Sequence, residues 1–369
     1  MSAAAPLALD DDAASRLPAA RLQAIVKQIV LAAGADAAAA GMLAKSLVGS
    51  DLRGVSSHGF MRVPEYLTAI RAGRIVPSAR PKVAARRGAA VAIDGALGFG
   101  QVAARELAPQ SVALAREHGV GLVTLRGVTH VGRLGEWVER TALGGCVALA
   151  WCAGGEPFGN VVPFGARERR LGTHPIAYAV PAARGAPLVS DFSTSAVAEG
   201  KVRLYRHAGR SVPAGWLLDA HGEPSEDPAS LYQGGAILPM GAHKGFALAL
   251  LTELLGGVLS GAGCVSLGES PGNGVTLIAI DPARVGDGAG GFGVRVEQVL
   301  ASIASAAPAR GSERVMLPGE PERQALRERR RNGIPFALQT WASLLAAAAD
   351  VGVELAGDPA MELDRGARR

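Results

Sequence analysis

The segment DLRGVSSHGFMRVPEY contains side chains of the types that bind and protonate a small anion. Ser57 and His58 precede Pro64, which is tolerated only in the first turn of a helix, so the spacing predicts a helix that begins just before this proline. Arg62 and Tyr66 are four residues apart and would share one face of that helix. Two interpretations stay open here: an anion receptor at the positive end of a helix, or a serine-capped helix with a solvated arginine.

A second candidate, His130, lies in GVTHVGRLG directly after the predicted strand GLVTLRG. Segments that leave the edge of a sheet are common places for ligands. An imidazole changes charge near neutral pH, and Arg133 in the same segment could pair with a carboxylate. The alternative is a surface histidine without a chemical role.

A third pair, His243 and Lys244, begins the long apolar segment HKGFALALLTELLGGVLSG. The start of a helix favours phosphate, whereas the alternative is simple exposure of two polar side chains. The rest of the segment is so apolar that we expect the helix to be buried.

The segment SDFSTSAVAEGK ends a predicted strand at Asp191 and then brings three hydroxyls, those of Ser193, Thr194 and Ser195. These hydroxyls could cap the following helix or hold the ribose and phosphate oxygens of a nucleotide.

Other kinds of site find less support in the sequence. His58, His130, His174 and His243 are isolated and form no HExxH motif, so we expect no metal site. A serine hydrolase would need a GxSxG elbow, which the sequence does not contain.

A formal G-x-G-x-x-G is present at Gly288, Gly290 and Gly293. A Rossmann turn needs a strand running straight into the first glycine, but here the preceding predicted strand ends near Asp281. We therefore expect residues 283–295 to form a loop and not a dinucleotide fingerprint.

The composition limits the class of protein. The chain has 369 residues, of which 49% are hydrophobic and 19% charged, and this excludes global disorder. The net charge is +5, but the basic residues are scattered and aromatic residues are only 4%, which argues against a nucleic-acid partner.

Three cysteines without a CxxC pair suggest a reducing cytoplasm. The amino-terminal residues do not resemble a secretory signal, and the apolar stretches are too short or interrupted to span a membrane, so we expect a soluble cytoplasmic protein.

Periodicity predicts a helix-rich, then mixed, then helix-rich order of elements. Helices are expected over residues 18–34, 36–54 and 64–73, and the strands follow in the middle of the chain. The strands are expected in the segments AAVAID, GVGLVTLRG, GCVALAWCAG, HPIAYAVPA, PLVSDFS and GVTLIAID. We expect an α/β fold with a helical domain built from both termini, residues 1–82 and 318–369, and an α/β domain over 83–317.

Taken together, seven segments in order resemble the type 2 malate/L-lactate dehydrogenase family of NAD(P)-dependent oxidoreductases. This family includes ureidoglycolate, sulfolactate and malate dehydrogenases, diketogulonate reductase and Δ1-piperideine-2-carboxylate reductases. The resemblance implies a nicotinamide-binding α/β domain unrelated to the Rossmann fold. The segments are SSHGFMRVPEY, IDGALGFGQ, THVG, VPFGARERRLGTHPIAYAVP, VSDFSTSAVAEGK, GGAILPMGAHKGFALALLTELLGGVLSGA and LPGE with RRNGI.

The resemblance also implies roles for individual residues. Ser57, His58, Arg62 and Tyr66 would face the substrate, with Arg62 on its carboxylate, and Arg133 is a further substrate candidate. Either His58 or His130 would exchange the proton. We favour His130, with His58 polarising the substrate and Asp191 as a supporting or proton-relay carboxylate. The residues expected around an NAD or NADP cofactor are His174, Ser190, Asp191, Ser193, Thr194, Ser195, His243, Lys244, Gly319 and Glu320.

Two positions depart from the family pattern. Its usual G-T-N-P-I is here Gly172 to Ile176 with His174 in place of the asparagine, and Thr129 precedes His130 where a serine is frequent. These changes affect contacts and not the class of reaction.

The expected reaction is hydride transfer between nicotinamide and C2 of a small 2-hydroxy or 2-oxo acid, without a metal. The first alternative is NADPH-dependent reduction of a cyclic imino acid. A non-catalytic relative and a metal-dependent hydrolase are alternatives from other classes. By resemblance we expect a homodimer or higher homo-oligomer whose other partner is a small carboxylate substrate.

Overall fold

The computed structural model describes residues 15–269, 272–285 and 291–355. The helices are, in chain order, α1 (Ala19–Ala32), α2 (Ala37–Leu52), α3 (Val63–Arg71), α4 (Gly100–Ala104), α5 (Leu107–His118), α6 (Leu134–Leu143), α7 (Glu199–His207), α8 (His243–Thr252), α9 (Phe292–Ala304), α10 (Glu320–Asn332) and α11 (Leu338–Ala349). The strands are β1 (Ser15–Leu17), β2 (Lys82–Arg87), β3 (Ala90–Gly98), β4 (Val120–Val128), β5 (Val147–Gly155), β6 (Ile176–Val180), β7 (Leu188–Phe192), β8 (Leu217–Leu218), β9 (Pro224–Ser225), β10 (Ala236–Ile237), β11 (Gly272–Ile280) and β12 (Ile334–Phe336).

The chain divides into two compact units. Unit 1 comprises the described residues within Met1–Arg80, Leu97–Val102 and Glu320–Arg369. Unit 2 comprises those within Pro81–Ala96 and Ala103–Gly319. The sequence had assigned residues 97–102 to the α/β part of the chain, whereas the structure groups them with unit 1.

Unit 1 is mainly helical, and its helix ends follow local signals. Asp36 caps α2 by accepting hydrogen bonds of 2.9 Å from the N–H groups of both Ala38 and Ala39. α3 carries Pro64 in its first turn, as the sequence predicted. The three helices predicted in the first 80 residues are confirmed.

The core of unit 1 takes residues from both ends of the described chain. Phe336 of β12 packs edge-on against Phe60 at a ring separation of 6.4 Å and against Trp341 of α11 at 5.3 Å. β1 pairs antiparallel with β12, which brings the start of the described chain beside its last part. The buried apolar side chains of α1 and α2 complete this core.

Unit 2 is built on a seven-stranded sheet of order β2-β3-β4-β11-β5-β6-β7. The neighbours β2–β3, β4–β11, β11–β5, β5–β6 and β6–β7 all pair antiparallel. A Rossmann sheet is parallel and connected by crossover helices, so this sheet belongs to a different α/β architecture. All six predicted strands are present, and the fold is mixed α/β as expected.

Helical segments cover both faces of the middle of this sheet. A Cβ at Gly121 of β4 would overlap the Ser111 carbonyl oxygen of α5, which places α5 on that face. On the other face Thr276 of β11 donates a hydrogen bond of 2.6 Å to the carbonyl of Leu255. Leu255 belongs to a π-helical segment, Glu253–Leu259, that continues α8. The neighbouring strands β4 and β11 thus lie between two helical layers.

Two expectations about elements are wrong. The segment that begins at His243 was expected to be buried, but Leu250, Leu254 and Val258 are 45%, 48% and 57% exposed. Its buried side carries mostly small residues such as Gly256, which lets the helix approach the sheet closely and turns the large side chains outward. In the stretch expected to be a loop, α9 already begins at Phe292. Gly288 and Gly290 lie outside the described residues.

No helix within the described ranges has both the length and the apolar character that a membrane-spanning helix needs.

Candidate active site

His130 lies where the chain leaves β4, as the sequence predicted, in a turn that leads into α6. Trp137 of α6 is fully buried, and its indole N–H donates a hydrogen bond of 3.0 Å to the carbonyl of Val131. The N–H of the same Val131 donates to the side-chain oxygen of Asn273 at 3.0 Å. The residue that follows His130 is therefore held at both its backbone N–H and its backbone carbonyl. Sequence reasoning missed both Trp137 and Asn273.

Asp191 of β7 braces the start of α6. Its Oδ2 atom accepts a hydrogen bond of 2.6 Å from the backbone N–H of Gly135, in the first turn of that helix. A carboxylate is favoured at the positive end of a helix dipole, and it satisfies an N–H group that has no partner within the helix. A Cβ at Gly135 would press on both Asp191 and Arg133, so only glycine leaves room for this contact.

Arg133 was expected to bind the substrate. Its side chain is only 6% exposed and forms an ion pair of 3.1 Å with Glu139 of α6. A contact of Arg133 with the substrate stays a prediction.

In unit 1 the segment Ser56–His58 forms a short 3-10 turn ahead of α3. Nδ1 of His58 lies 2.9 Å from the hydroxyl oxygen of Ser57, which orients the imidazole. The Nε–H of Arg62 donates to the Ser57 carbonyl at 2.7 Å. The same guanidinium forms an ion pair of 2.6 Å with Glu65 while its side chain stays 28% exposed. Arg62 is thus oriented by the chain and still reaches solvent.

Two buried charged residues hold this turn in place. Oδ2 of Asp51 accepts a hydrogen bond of 2.9 Å from the Phe60 N–H, and Arg329 of α10 donates to the Asp51 carbonyl at 2.7 Å. A Cβ at Gly59 would overlap the Asp51 carboxylate, which explains why glycine follows His58. Asp51 and Arg329 were not found from the sequence, although an aspartate at the end of an apolar helix is a signal that could have drawn attention to Asp51.

Tyr66 lies inside unit 1, where it is 4% exposed. Its hydroxyl accepts a hydrogen bond of 2.6 Å from Gln101, and its ring packs against Phe99 at 6.2 Å. Burial raises the pKa of the Tyr66 hydroxyl well above its ordinary value. The tyrosine is a neutral, positioned group in this structure, and a direct contact with substrate stays a prediction.

The start of α8 has the features expected of an anion site. α8 begins at His243 without a side-chain cap, and both His243 and Lys244 are exposed. Phe164, which is 56% exposed, places its ring 5.9 Å from the His243 imidazole. The set therefore combines helix N–H groups, an ammonium group and an aromatic surface.

Two of the hydroxyls predicted to hold a cofactor donate hydrogen bonds to the protein's own backbone. Thr194 is fully buried and donates to the Thr173 carbonyl at 3.1 Å. Ser195 is 3% exposed and donates to the Val197 carbonyl at 2.9 Å. Ser193 donates to the Ser195 carbonyl at 3.2 Å but stays partly accessible. The capping alternative is wrong, because α7 has no side-chain cap, and a contact of these hydroxyls with a cofactor stays a prediction.

His174, expected beside the cofactor, is enclosed in unit 2. Its side chain is fully buried, and its Nε2 atom lies 2.7 Å from Oε2 of Glu253. A contact of His174 with a cofactor stays a prediction. Oε1 of Glu253 accepts from both the N–H and the hydroxyl of Ser266, at 2.9 and 2.8 Å.

The ionisation of Glu253 follows from these contacts. Burial alone would raise its pKa, but the contact with His174 and the hydrogen bonds from Ser266 outweigh this effect and hold the pKa of the carboxyl below its ordinary value. The pair is therefore a structural element of unit 2, and it places an ionised carboxylate at the first residue of the π-helical segment.

The comparisons with known proteins decide the family. The model of the malate/L-lactate dehydrogenase family matches residues 17–345. The chain belongs to this family. The resemblance recognised from seven sequence segments is thereby confirmed, and the protein, like the relatives of this family, is an oxidoreductase.

Three relatives illustrate the range of this malate/L-lactate dehydrogenase family. Hydroxycarboxylate dehydrogenase B of Escherichia coli K12 is 34% identical over 347 residues, which cover 92% of this chain and 95% of the relative. The Δ1-pyrroline-2-carboxylate/Δ1-piperideine-2-carboxylate reductase of Pseudomonas putida is 38% identical over 67% of this chain and 71% of the relative. The structure of sulfolactate dehydrogenase from Methanocaldococcus jannaschii superposes with a TM-score of 0.84 at 29% identity, covering 92% of this chain and 98% of that one.

The remaining predicted cofactor residues are Ser190, Gly319 and Glu320. Ser190 is a half-buried residue of β7 next to Asp191. Gly319 has a left-handed backbone with φ of 79° and is the last residue of unit 2, and Glu320 begins α10 in unit 1. Contacts of these residues with a cofactor stay a prediction. Within the described part of the chain, no group of three or more His, Cys, Asp or Glu side chains could hold a metal ion.

Proposed function

We propose that the protein transfers a hydride between a nicotinamide dinucleotide, NAD or NADP, and C2 of a small 2-hydroxy or 2-oxo acid. The observation that carries the proposal is the imidazole of His130 at the end of β4, in a turn fixed by Trp137, Asn273 and Asp191. A rigid, titratable group of this kind suits general acid–base chemistry. Relatives named malate, lactate and hydroxycarboxylate dehydrogenases support the substrate class.

The second candidate is reduction of a cyclic imino acid by NADPH. It is favoured by the relative of 38% identity from Pseudomonas putida, whose name states that activity. The two reactions make the same demand on the protein, because an imine nitrogen, like a carbonyl oxygen, must take up a proton as the hydride reaches the neighbouring carbon. The residues assigned here serve both.

The protein's own groups have separable tasks in this proposal. Arg62, which stays charged and partly exposed, binds the substrate carboxylate. His130 gives a proton to the substrate oxygen or nitrogen during reduction and takes it back during oxidation. His58, oriented by the Ser57 hydroxyl, polarises the same bond. When bound, the nicotinamide supplies or accepts the hydride.

The start of α8 fits the charged part of such a cofactor. A pyrophosphate needs N–H donors and a cation, and the uncapped helix start and exposed Lys244 offer both. The exposed ring of Phe164 beside His243 offers a surface on which an aromatic base can pack. We therefore assign His243 and Lys244 to the cofactor.

We also propose that the protein is a cytoplasmic homodimer or higher homo-oligomer. The outward face formed by Leu250, Leu254 and Val258 of α8 and its π-helical continuation is apolar, and such patches mark protein interfaces more often than free surface. The three cysteines are buried free thiols, which suits a reducing compartment.

The test is the absorbance of the reduced nicotinamide. Each of NADH and NADPH is mixed with pyruvate, oxaloacetate, sulfopyruvate and Δ1-piperideine-2-carboxylate, with and without a chelator. We expect the absorbance at about 340 nm to fall with at least one pair, because oxidation of the nicotinamide accompanies hydride transfer, and to do so regardless of the chelator. Flat traces across the panel would count against the proposal. Turnover that needs added metal but no nicotinamide would favour a hydrolase.

A further inference from the structure

Asn273 holds the backbone on both sides of His130. Its own N–H donates a hydrogen bond of 3.0 Å to the carbonyl of Thr129. Its side-chain Oδ1 accepts one of 3.0 Å from the N–H of Val131. A single residue of β11 thus fixes the peptide that precedes the histidine and the peptide that follows it.

The strands are arranged so that this residue can reach the turn. Asn273 pairs with Val128, the last residue of β4, and the register between β4 and β11 shifts immediately afterwards. A Cβ at Gly272, where φ is 77°, would overlap the Val128 carbonyl. Irregularities of this kind redirect side chains and are frequent next to active sites.

β5 closes the other side of the asparagine. Gly154 of β5 pairs with Asn273, and a Cβ there would lie 2.7 Å from the asparagine Nδ2 atom. Gly154 itself has a φ of 144°, a backbone conformation that favours glycine. The ends of three strands therefore meet around one amide side chain, whose orientation is set by its hydrogen bond to Val131.

We propose that Asn273 is a positioning residue for the proton transfer by His130. The inference rests on the proposed function, in which His130 exchanges the proton with the substrate. The amide is neutral, so it fixes the turn without changing the charge beside the imidazole. Loss of its acceptor would free the Val131 peptide and let the imidazole move away from the substrate atom.

The test is a double-mutant cycle of four proteins, the wild type, Asn273→Ala, His130→Asn and the double variant, with the substrate and cofactor identified by the nicotinamide assay. We expect N273A to lower kcat by about 10- to 100-fold, since a displacement of about 1 Å has effects of this size, and to leave the Kd of the nicotinamide unchanged. In the H130N background the same substitution should cause no further loss, because its effect passes through the histidine.

Asn273→Asp provides a second readout. A carboxylate also accepts from the Val131 N–H, so N273D should recover most of the rate that N273A loses. Its negative charge stabilises the imidazolium, so the limb of the pH–rate profile that belongs to His130 should move to higher pH. The shift would show that position 273 lies within electrostatic reach of the imidazole, and the recovered rate would show that N273A loses activity through the lost acceptor. If N273A does not fold, the turnover of N273D still tests whether an acceptor at position 273 supports the proton transfer by His130.

The outcomes separate this inference from the proposed function. An equal loss from N273A in both backgrounds, or an N273D protein that recovers none of the rate lost by N273A, would overturn the positioning role while His130 keeps its own. Wild-type turnover by H130N would overturn the assignment of His130 and, with it, the role of Asn273.

Discussion

The carboxylate of Asp191 accepts a hydrogen bond of 2.6 Å from the backbone N–H of Gly135, across 56 positions of sequence. This bond ties β7 to the first turn of α6, the helix that directly follows the His130 turn. Asp191 was predicted as a supporting or relay carboxylate, and in the structure its contact with Gly135 braces a backbone. Its effect on the reaction is therefore expected to pass through the position of the turn.

Replacement of Asp191 tests the importance of its hydrogen bond to Gly135. Asp191→Ala removes the acceptor at the start of α6, and we expect it to lower the free energy of unfolding by about 1–2 kcal/mol, as loss of a helix cap does, and to slow turnover as well. Urea unfolding and kcat are measured together. The matched control is Asp36→Ala, which removes the cap of α2 in unit 1 and should leave kcat unchanged. If D191A has the kcat of the wild type, the hydrogen bond between Asp191 and Gly135 does not contribute to the reaction.

His130 is the residue on which the assigned chemistry depends. We expect His130→Asn to slow turnover by about 10²–10⁴-fold while the nicotinamide still binds, because general acid–base catalysis contributes this much. His118→Asn, at a partly exposed histidine on α5, is the control and should behave like the wild type. If H130N has wild-type turnover and His58→Asn abolishes turnover, His58 exchanges the proton and His130 polarises the substrate.

Arg62 is proposed to bind the substrate carboxylate. A guanidinium group can donate two parallel hydrogen bonds to a carboxylate, whereas the ammonium group of lysine cannot. We expect Arg62→Lys to raise KM for the substrate by about 10- to 100-fold, the equivalent of one charge-assisted hydrogen bond. Arg71→Lys, at an exposed arginine of α3 that pairs with Asp350, should leave KM unchanged. The assignment fails if R62K and R71K bind the substrate equally well.

The buried pair of His174 and Glu253 predicts a dependence of stability on pH. The pKa of Glu253 lies below its ordinary value of 4.5, so the ionised carboxylate stabilises the fold above that pH. This contribution is lost as the pH falls through the folded-state pKa. The wild type should therefore lose more stability than Glu253→Gln between about pH 5 and pH 3, as followed by urea unfolding. Glu117→Gln, at an exposed glutamate, should follow the wild type.

The same pair distinguishes a structural from a cofactor role for His174. His174→Asn shortens the side chain and leaves Glu253 without this partner, so it should lower the melting temperature without changing the Kd of the nicotinamide. A weakened Kd with unchanged stability would support the cofactor role that the family resemblance implies.

The apolar face of α8 and its π-helical continuation predicts an effect of substitutions on the oligomeric state. Leu254→Glu places a charge in the middle of that face, and analytical ultracentrifugation should show dissociation towards monomers. Leu143→Glu changes an equally apolar side chain, 69% exposed at the end of α6, and should leave the assembly intact. An assembly unaffected by L254E would place the interface elsewhere.

The parts of the fold that depend on neighbouring residues could be read from the sequence. Asp36 ahead of α2, Pro64 in the first turn of α3 and the β-branched runs of the sheet give local signals that act within a few positions. His58, His130 and Asp191 were candidates from their residue types and positions, and the family resemblance added the roles proposed for them.

The contacts that hold the site could not be read in the same way, because they join distant segments. Arg329 reaches the Asp51 carbonyl across 278 positions, and Asn273 reaches Val131 across 142. Burial is equally a property of the folded chain. It places Arg133 beside Glu139 and His174 beside Glu253, and no local signal in the sequence predicts either contact.

The central claim is that a hydride moves between the nicotinamide and C2 of the substrate, and isotope transfer tests it most directly. The reduced cofactor is deuterated at C4, on each face in separate samples, and the product is examined by mass spectrometry. The account predicts that one of the two samples gives a product with a single deuterium on C2, and that the deuterium does not exchange with water. A product that carries no deuterium from either sample, formed while the cofactor is oxidised, would contradict it.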